Sequence, residues 1–417
     1  MSTADLRERV RRLPGVEGLL PALEGLPPAY LVGGSVRDLL LERPAAGHLD
    51  LAIEGDARSV ARALAERLGG EGREYERFGT AVVEVEGFEY DMATTRRETY
   101  DEPGALPRVE AATLWEDLVR RDFAVNAMAI GLKGDDLGHL YDPHGGLPDL
   151  EAGLLRVLHD QSFSDDPTRL LRGVRFEARL DFSLDPDTEV LAREAVGSSA
   201  LSTVSDDRVG RELIKLLEEE AAPTAVRRLK ELEVDRALHP ALAPDPELVA
   251  SAALGAVTLG ANRVTAELAA MVVEEPQELD LWVAGLPLEA RDRDAVSRAA
   301  RVAPRISAAL REREHTPSEL RALLAGEPPE ALALALALGA PSEPILRWTS
   351  ELSRVGLEIG GADLLAAGIP EGPAIGRALE ETLRRKLDGL VAGRDEELAT
   401  ALGLAEAELA GGEELSR

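Results

Sequence analysis

The chain has 417 residues, a net charge of -30 at pH 7 and 45% hydrophobic residues. This length allows two to four domains with separate cores. No run in the sequence approaches the ~18 apolar residues of a membrane span. The lack of cysteine excludes disulfides and thiolate metal sites. The acidity argues against nucleic-acid binding over the whole surface, so an RNA partner would need a local basic groove. Residues 1–14 lack the apolar segment of a signal peptide, and we expect a cytoplasmic location.

The first 150 residues mix strand and helix patterns. Short apolar or alternating runs predict strands at 29–32, 49–53, 80–93 (a hairpin about Gly87) and 123–132. A short helix is predicted at 36–41, and a 3.6-residue period predicts a longer one over 57–68. This part of the chain is therefore expected to form a head built on a mixed sheet.

After residue 150 the strand patterns stop, and helical patterns alternate with Pro, Gly and Asp breaks. We predict helices at 167–180, 187–195, 207–220, 223–232, 247–254, 290–302, 317–325, 329–338, 344–355, 376–392 and 396–409. The predicted fold class is α+β. A mixed-sheet head (1–150) is followed by an all-helical neck (151–220), body (221–300) and tail (301–417).

The segment GGSVRD follows the first predicted strand and opens a helix. Gly33 and Gly34 allow close approach of the backbone to a ligand, and a helix N-terminus offers N–H donors to a phosphate. Ser35 can add a hydroxyl and Arg37 a positive charge. Alone, the segment also fits a plain strand–turn–helix.

The segment HLDLAIEGD places His48 and Asp50 two residues apart on a strand, so both side chains point to one face. Asp91 lies near the end of the predicted hairpin. An isolated Asp50 would fit a solvated acid at a strand edge. Because it follows GGSVRD so closely, we interpret it as a metal ligand.

Two further segments carry charged residues in regular positions. RRDFAVNAMA places Arg120, Arg121 and Asp122 ahead of an apolar strand. In DDPTRLLRGVRF, Asp165 or Asp166 is predicted to cap a helix. Four side chains then repeat every three residues along one side of that helix: Asp166, Arg169, Arg172 and Arg175.

The Asp and the first Arg of this helix suit a particular kind of base. Cytosine and adenine both present an exocyclic amine beside an unprotonated ring nitrogen. A carboxylate acceptor and a guanidinium donor match that edge, and they mismatch uracil and guanine. The alternative is a set of ion pairs on the helix surface, each worth under ~1 kcal/mol.

In this order the four segments resemble the class II tRNA nucleotidyltransferases, the CCA-adding enzymes and their bacterial poly(A) polymerase relatives. The resemblance covers about residues 29–235 and implies a five-stranded, DNA polymerase beta-like nucleotidyltransferase head. It implies Asp50 and Asp91 as catalytic ligands of Mg²⁺, with Mn²⁺ as an alternative. It also implies that Asp166 and Arg169 read the base, while Arg121 and Asp122 steer the nucleotide. Arg172 and Arg175 would lie near phosphates or the protein frame.

His48 departs from the family, which has its first metal-binding aspartate at this position. Mg²⁺ prefers oxygen ligands, whereas imidazole suits softer metals. Three interpretations stay open. His48 can bind a softer metal such as Mn²⁺ and keep activity; the site can work poorly with water in place of the lost ligand; or the head can bind nucleotide and RNA without efficient transfer.

The resemblance extends to two more segments and to function. The polar stretch 93–117 is similar to the flexible loop of A-adding and CCA-adding members, and 205–217 to a helix that closes the neck. The implied activity is untemplated transfer of CMP and AMP, or AMP alone, from CTP and ATP to the 3′ end of tRNA. The implied partner is the tRNA acceptor arm, with no membrane and no obligate protein partner.

Three alternatives remain open at this level. The first is a poly(A) polymerase acting on other RNAs. The second is an RNA-binding protein with a catalytically disabled head, which His48 favours. The third is a nucleotide-binding regulatory protein without RNA, which the acidic surface permits.

Overall fold

The computed structural model describes residues 2–44, 47–75 and 79–414. The chain divides into two compact units, Met1–Pro240 and Ala241–Arg417. No helix among the described residues is both long and apolar enough to cross a membrane.

Seven strands in the described part of the first unit form a mixed sheet. They are β1 (Ala29–Val32), β2 (His48–Ile53), β3 (Glu71–Tyr75), β4 (Thr80–Val85), β5 (Phe88–Thr94), β8 (Ala129–Gly131) and β9 (Leu140–Tyr141). Their order in the sheet is β3-β4-β5-β2-β1-β8-β9. Of these pairings only that of β2 with β5 is parallel. The expectation of five strands was wrong. The exposed, charged β3 and the two-residue β9 have no apolar alternation to mark them.

Two small ladders accompany the main sheet. β6 (Arg96–Thr99) and β7 (Arg108–Ala111) form an antiparallel hairpin. The stretch 93–117, expected as a loop, therefore contains paired strands. β10 (Leu154–Leu155) and β11 (Ser183–Leu184) pair in parallel within the neck. The helical remainder is confirmed, apart from this two-residue ladder.

The helices of the first unit are α1 (Thr3–Arg11), α2 (Val16–Ala22), α3 (Gly34–Leu40), α4 (Ala57–Leu68), α5 (Leu114–Val119), α6 (Gly146–Ala152), α7 (Ser162–Asp165), α8 (Arg169–Leu180), α9 (Pro186–Gly197), α10 (Asp206–Glu218), α11 (Ala222–Glu231) and α12 (Val234–Leu238). Helix α4 has the predicted bounds. Asp56 caps its first turn, Gly69 ends it at φ 69°, and Val60 and Leu64 lie on its buried face.

Two local predictions near the neck were wrong. The stretch 123–132, expected as one strand, contains a 3₁₀ turn at Ala124–Asn126, and only Ala129–Gly131 forms a strand of the sheet. Neither Asp165 nor Asp166 caps α8. Asp166 lies in extended backbone after α7, and α8 starts at Arg169 behind Thr168. Pro167 separates these two helices instead of lying in the first turn of one.

The second unit is helical throughout its described part. Its helices are α13 (Pro246–Leu259), α14 (Arg263–Val272), α15 (Asp280–Gly285), α16 (Ala290–Glu312), α17 (Pro317–Leu324), α18 (Pro329–Ala337), α19 (Ser342–Ser350), α20 (Gly361–Ala366), α21 (Pro373–Leu387) and α22 (Gly393–Glu414). Helix α16 continues through Pro304. Helix α14 was missed because it is buried on nearly all sides and shows no polar face.

Candidate nucleotidyl-transfer site

One cleft of about 850 Å³ in the first unit is lined by every residue that the sequence predicted for the site. The sheet contributes the floor through β1, β2 and β5. The start of α3 forms one edge, and the segment leading into α8 forms another. The predicted residues that line it are Gly33, Gly34, Ser35, Arg37, His48, Asp50, Asp91, Arg121, Asp122, Asp166, Arg169, Arg172 and Arg175.

The possible metal ligands lie together on the floor of the cleft. The parallel pairing of β2 with β5 sets Asp50 directly opposite Asp91. One ligand atom from each of His48, Asp50 and Asp91 lies within 4.8 Å of the other two. Burial and the nearby Asp50 carboxylate raise the pKa of Asp91 above its ordinary value. Such a cluster can hold a divalent cation, which would relieve the repulsion between the two carboxylates.

The glycine turn brings α3 against this cluster. Gly33 adopts φ 61° and ψ -129°, a conformation that favours glycine. The turn lets the Ser35 hydroxyl accept a hydrogen bond from the Asp50 backbone N–H at 2.9 Å. A Cβ on Gly34 would lie 3.7 Å from the Asp50 carboxylate, so glycine keeps the space beside the cluster open.

Arg37 is buried and is committed to neighbouring side chains. It donates to Asp38 at 3.0 Å and to the Asn126 side-chain oxygen at 2.6 Å. Asn126 in turn donates to Asp122 at 3.1 Å. Arg37 therefore connects the glycine turn to the segment after α5, and these bonds occupy part of the guanidinium that was expected to face a phosphate.

Asp122 is buried and pairs with Arg172 of α8, whose Nε donates to it at 2.9 Å. Burial alone would raise the pKa of Asp122. Arg172 and the hydrogen bonds from Asn126 and the Phe123 N–H outweigh it and lower this pKa to about 2. The carboxylate therefore stays charged at neutral pH and fixes α8 to the head.

The two arginines before Asp122 are oriented by one carboxylate. Asp117 in α5 is buried and accepts from Arg120 at 2.7 Å and from Arg121 at 2.8 Å. Burial opposes the charge of Asp117, yet both guanidinium groups together lower its pKa. Arg121 lies beside the glycine turn, where a Cβ on Gly33 would be 3.2 Å from its Nη1.

Asp166 and Arg169, the predicted base-reading pair, both keep unused hydrogen-bonding capacity. Asp166 accepts through Oδ1 from Thr168 and, at 3.0 Å, from Arg208. No hydrogen bond from the described residues reaches its Oδ2. Arg169 donates to the Ser162 hydroxyl and to the Arg120 carbonyl, both at 2.8 Å. These bonds leave three of its five N–H donors for other partners.

Arg172 and Arg175 line the cleft and also contact other protein side chains. Both guanidinium groups lie over the Phe176 ring, at 5.6 and 4.9 Å from its centre. Arg175 also approaches Glu212 and Glu219 at 3.6 and 3.5 Å. Burial lowers the pKa of Arg175 below its usual value.

Sequence reasoning missed Asp117, Asn126 and the link through Arg208 to Asp166. Asp117 precedes Arg120 and Arg121 by three and four residues, and this spacing could have predicted the pairing. Asn126 stands inside RRDFAVNAMA. The partners of Arg208 are 42 and 104 residues away, so no local pattern indicates them.

Two family models match parts of the chain. The poly A polymerase head domain matches residues 29–156. The model described as a probable RNA and SrmB-binding site of polymerase A matches residues 181–245. Residues Asp166 to Arg175 lie between the two matches.

Similarity to individual relatives extends over more of the chain. The chain is 34% identical over 401 residues to the A-adding tRNA nucleotidyltransferase of Geobacter sulfurreducens, covering 91% of this chain and 45% of the relative. It is also 34% identical over 373 residues to the CC-adding tRNA nucleotidyltransferase of Deinococcus radiodurans, covering 88% of this chain and 87% of the relative. The chain belongs to the tRNA nucleotidyltransferase family. It spans less than half the length of the A-adding relatives that it matches.

A solved tRNA nucleotidyltransferase has the same architecture. The CCA-adding enzyme of Thermotoga maritima, in complex with tRNA, superposes with a TM-score of 0.77 at 30% identity. The match covers 97% of this chain and 98% of that one. Members of this family generally use divalent metals, and the His48, Asp50 and Asp91 cluster is a possible place for one.

Proposed function

We propose that this chain transfers AMP from ATP to the 3′ end of tRNA without a template, with or without preceding transfer of CMP from CTP. One observation carries the proposal: a single cleft joins the carboxylate cluster on the sheet to the Asp166–Arg169 pair. The names of the A-adding and CC-adding relatives support tRNA as the acceptor.

We propose that Asp50, Asp91 and His48 hold the divalent cation, ordinarily Mg²⁺. The two carboxylates suit Mg²⁺ or Mn²⁺, and the imidazole shifts the preference towards the softer Mn²⁺. A cation bound there would neutralise charge at the phosphates and would make the RNA 3′-hydroxyl more acidic. Ser35, bonded to the Asp50 backbone, keeps this strand in place beside the glycine turn.

We assign the remaining roles from the open space beside the glycine turn and from hydrogen-bonding atoms of Asp166 and Arg169 that other described residues leave unused. Gly33 and Gly34 leave room for the triphosphate beside Asp50. Asp166 Oδ2 is available to accept a hydrogen bond from the exocyclic amine of adenine or cytosine. Arg169 can donate a hydrogen bond to the adjacent ring nitrogen. Uracil and guanine would present a carbonyl oxygen to the Asp166 carboxylate and are therefore disfavoured.

The test is incorporation of labelled ATP or CTP into three RNAs, with Mg²⁺ and Mn²⁺ in parallel. The RNAs are a tRNA lacking CCA, the same tRNA ending in CC, and an unrelated oligoribonucleotide. We expect AMP on the tRNA that ends in CC, loss of transfer in Asp50→Asn, and no loss in Asp135→Asn, which changes an exposed acid. Binding of tRNA without incorporation in either metal would contradict the proposal.

A further inference from the structure

A second, smaller cavity of about 330 Å³ adjoins the cleft. Three elements of the first unit meet there: the β6 hairpin, α5 and the segment around α7. The two cavities share a wall made of Glu98, Tyr100, Arg120 and Arg169. A ligand in the second cavity would therefore lie next to whatever occupies the cleft.

The rim of this cavity carries an exposed indole. Trp115 is 54% exposed, although the chain has only three tryptophans. Its ring contacts Tyr141 edge to face, with centroids 6.3 Å apart, which leaves ring surface open to solvent. Val119, one turn along α5, is 48% exposed beside it. An open indole with an apolar neighbour is a surface on which a flat aromatic group can stack.

The shared wall also carries a positive charge that no acid neutralises at close range. Arg169 is only 4% exposed. Within the described residues its hydrogen bonds go to a hydroxyl and a carbonyl, and no carboxylate lies within 4.0 Å of it. A buried, unneutralised guanidinium attracts an anion. An indole and such a cation that line one cavity are the combination that binds single-stranded nucleic acid, through base stacking and phosphate attraction.

We propose that the second cavity holds an unpaired base near the 3′ end of the RNA substrate, stacked on Trp115. This inference rests on the proposed function, in which the cleft holds the incoming nucleotide. The RNA end is then assigned to the second cavity, on the other side of the shared wall. A base stacked there would hold the RNA strand close to the cleft, so that the 3′-terminal hydroxyl of the RNA can enter the cleft.

The test uses the full chain and a tRNA transcript ending in CC. Intrinsic fluorescence is followed during titration with this RNA, and the KM values for RNA and for ATP are measured separately. Trp115→Ala should weaken RNA binding and raise the KM for RNA by about five- to a hundredfold, with the KM for ATP little changed. Trp115→Phe should restore most of the affinity and lose the RNA-dependent quenching. Val190→Ala, an exposed apolar residue of α9 outside both cavities, is the matched control.

Each outcome separates this site from the proposed function. If Trp115→Ala left both the RNA affinity and the KM for RNA unchanged, the stacking site would be overturned, but the proposed transfer activity would not. Quenching of Trp115 by ATP alone would also overturn it, since the cavity would then be a nucleotide site. RNA-dependent quenching by a chain that transfers nothing would support the site and contradict the proposed function.

Discussion

His48 places an imidazole in the cluster where Asp50 and Asp91 face each other, at a position where the family resemblance implies an aspartate. An imidazole in its metal-binding form is neutral, so the cluster has one negative charge fewer than three carboxylates would supply. Less negative charge weakens the attraction for a hard cation such as Mg²⁺. A nitrogen ligand in place of an oxygen lowers the affinity for Mn²⁺ less than the affinity for Mg²⁺. The metal preference of this chain should therefore depend on residue 48.

We expect His48→Asp to raise Mg²⁺-dependent transfer severalfold and to narrow the difference between Mg²⁺ and Mn²⁺. Initial rates in both metals measure the first effect, and electron paramagnetic resonance of free Mn²⁺ measures binding independently of activity. His139→Asp, at an exposed histidine of the head, serves as the control. Equal rates and equal Mn²⁺ binding before and after the change would show that His48 does not contact the metal.

Among the secondary-structure elements, one arginine of α10 joins the β6–β7 hairpin to Asp166, the carboxylate that we propose reads the base. Arg208 donates to the Gly104 carbonyl at 2.9 Å and to Asp166 at 3.0 Å. Gly104 adopts φ 71°, and a Cβ there would lie 2.2 Å from the Thr203 hydroxyl. The turn of the hairpin and the position of Asp166 are thus connected through a single side chain.

Arg208→Gln should loosen Asp166 and reduce selectivity between bases. A hydrogen bond to a charged group is worth about 1.5–3 kcal/mol. We therefore expect the ratio of kcat/KM for ATP over GTP to fall by about tenfold or more. Single-nucleotide incorporation assays give this ratio. Arg211→Gln removes an exposed ion pair with Asp207 on the same helix and should leave the ratio unchanged. An equal loss of activity with ATP and GTP would indicate a general structural role for Arg208.

The sequence predicted the elements with a clear apolar period and the segments whose local spacing carries chemistry. Helix α4 and the strands that bear Asp50 and Asp91 belong to this group. Partners distant in the chain could not be predicted, because spacing along α8 places Arg172 on a face without identifying Asp122, 50 residues earlier, as its partner. The hairpin β6–β7 was missed for a different reason: backbone pairing and surface ion pairs stabilise it, and a polar composition does not indicate either.

The balance of charge in the cleft differs from that of the chain overall. The chain has 77 acidic and 47 basic residues. The cleft, in contrast, is lined by eight arginines and six carboxylates. A polyanion is therefore repelled by the average surface and less so by the cleft. Acidity outside the cleft would disfavour RNA bound in unproductive places.

The division into two compact units predicts that unfolding is not a single transition. Asp122→Asn should lower the unfolding temperature of the first unit only, because it breaks the buried pair between Asp122 and Arg172. A loss of about 2–3 kcal/mol corresponds to roughly 4–12 °C in such a unit. Glu397→Gln should lower the unfolding temperature of the second unit only, since the buried Glu397 accepts a hydrogen bond from Lys386 at 2.6 Å.

Differential scanning calorimetry at pH 7 checks this prediction, with Glu66→Gln at an exposed position of α4 as the control. At this pH Asp122 is fully charged, because its pKa is lowered to about 2. Its contribution to stability is complete above the unfolded value of about 3.9 and disappears as the pH falls towards 2. A single transition lowered by both variants would show that the units unfold together.

The parallel register between β2 and β5 has a consequence for how this chain tolerates changes of length. Six consecutive residue pairs, from His48–Glu89 to Ile53–Thr94, keep Asp50 opposite Asp91. Extra residues at the tip of the turn at Glu86 and Gly87 would leave that ladder intact. Removing one residue within Phe88–Thr94 ahead of Asp91 would turn the carboxylate to the opposite side of the sheet. Engineered insertions and new chain termini therefore belong in the turn and not in the strand.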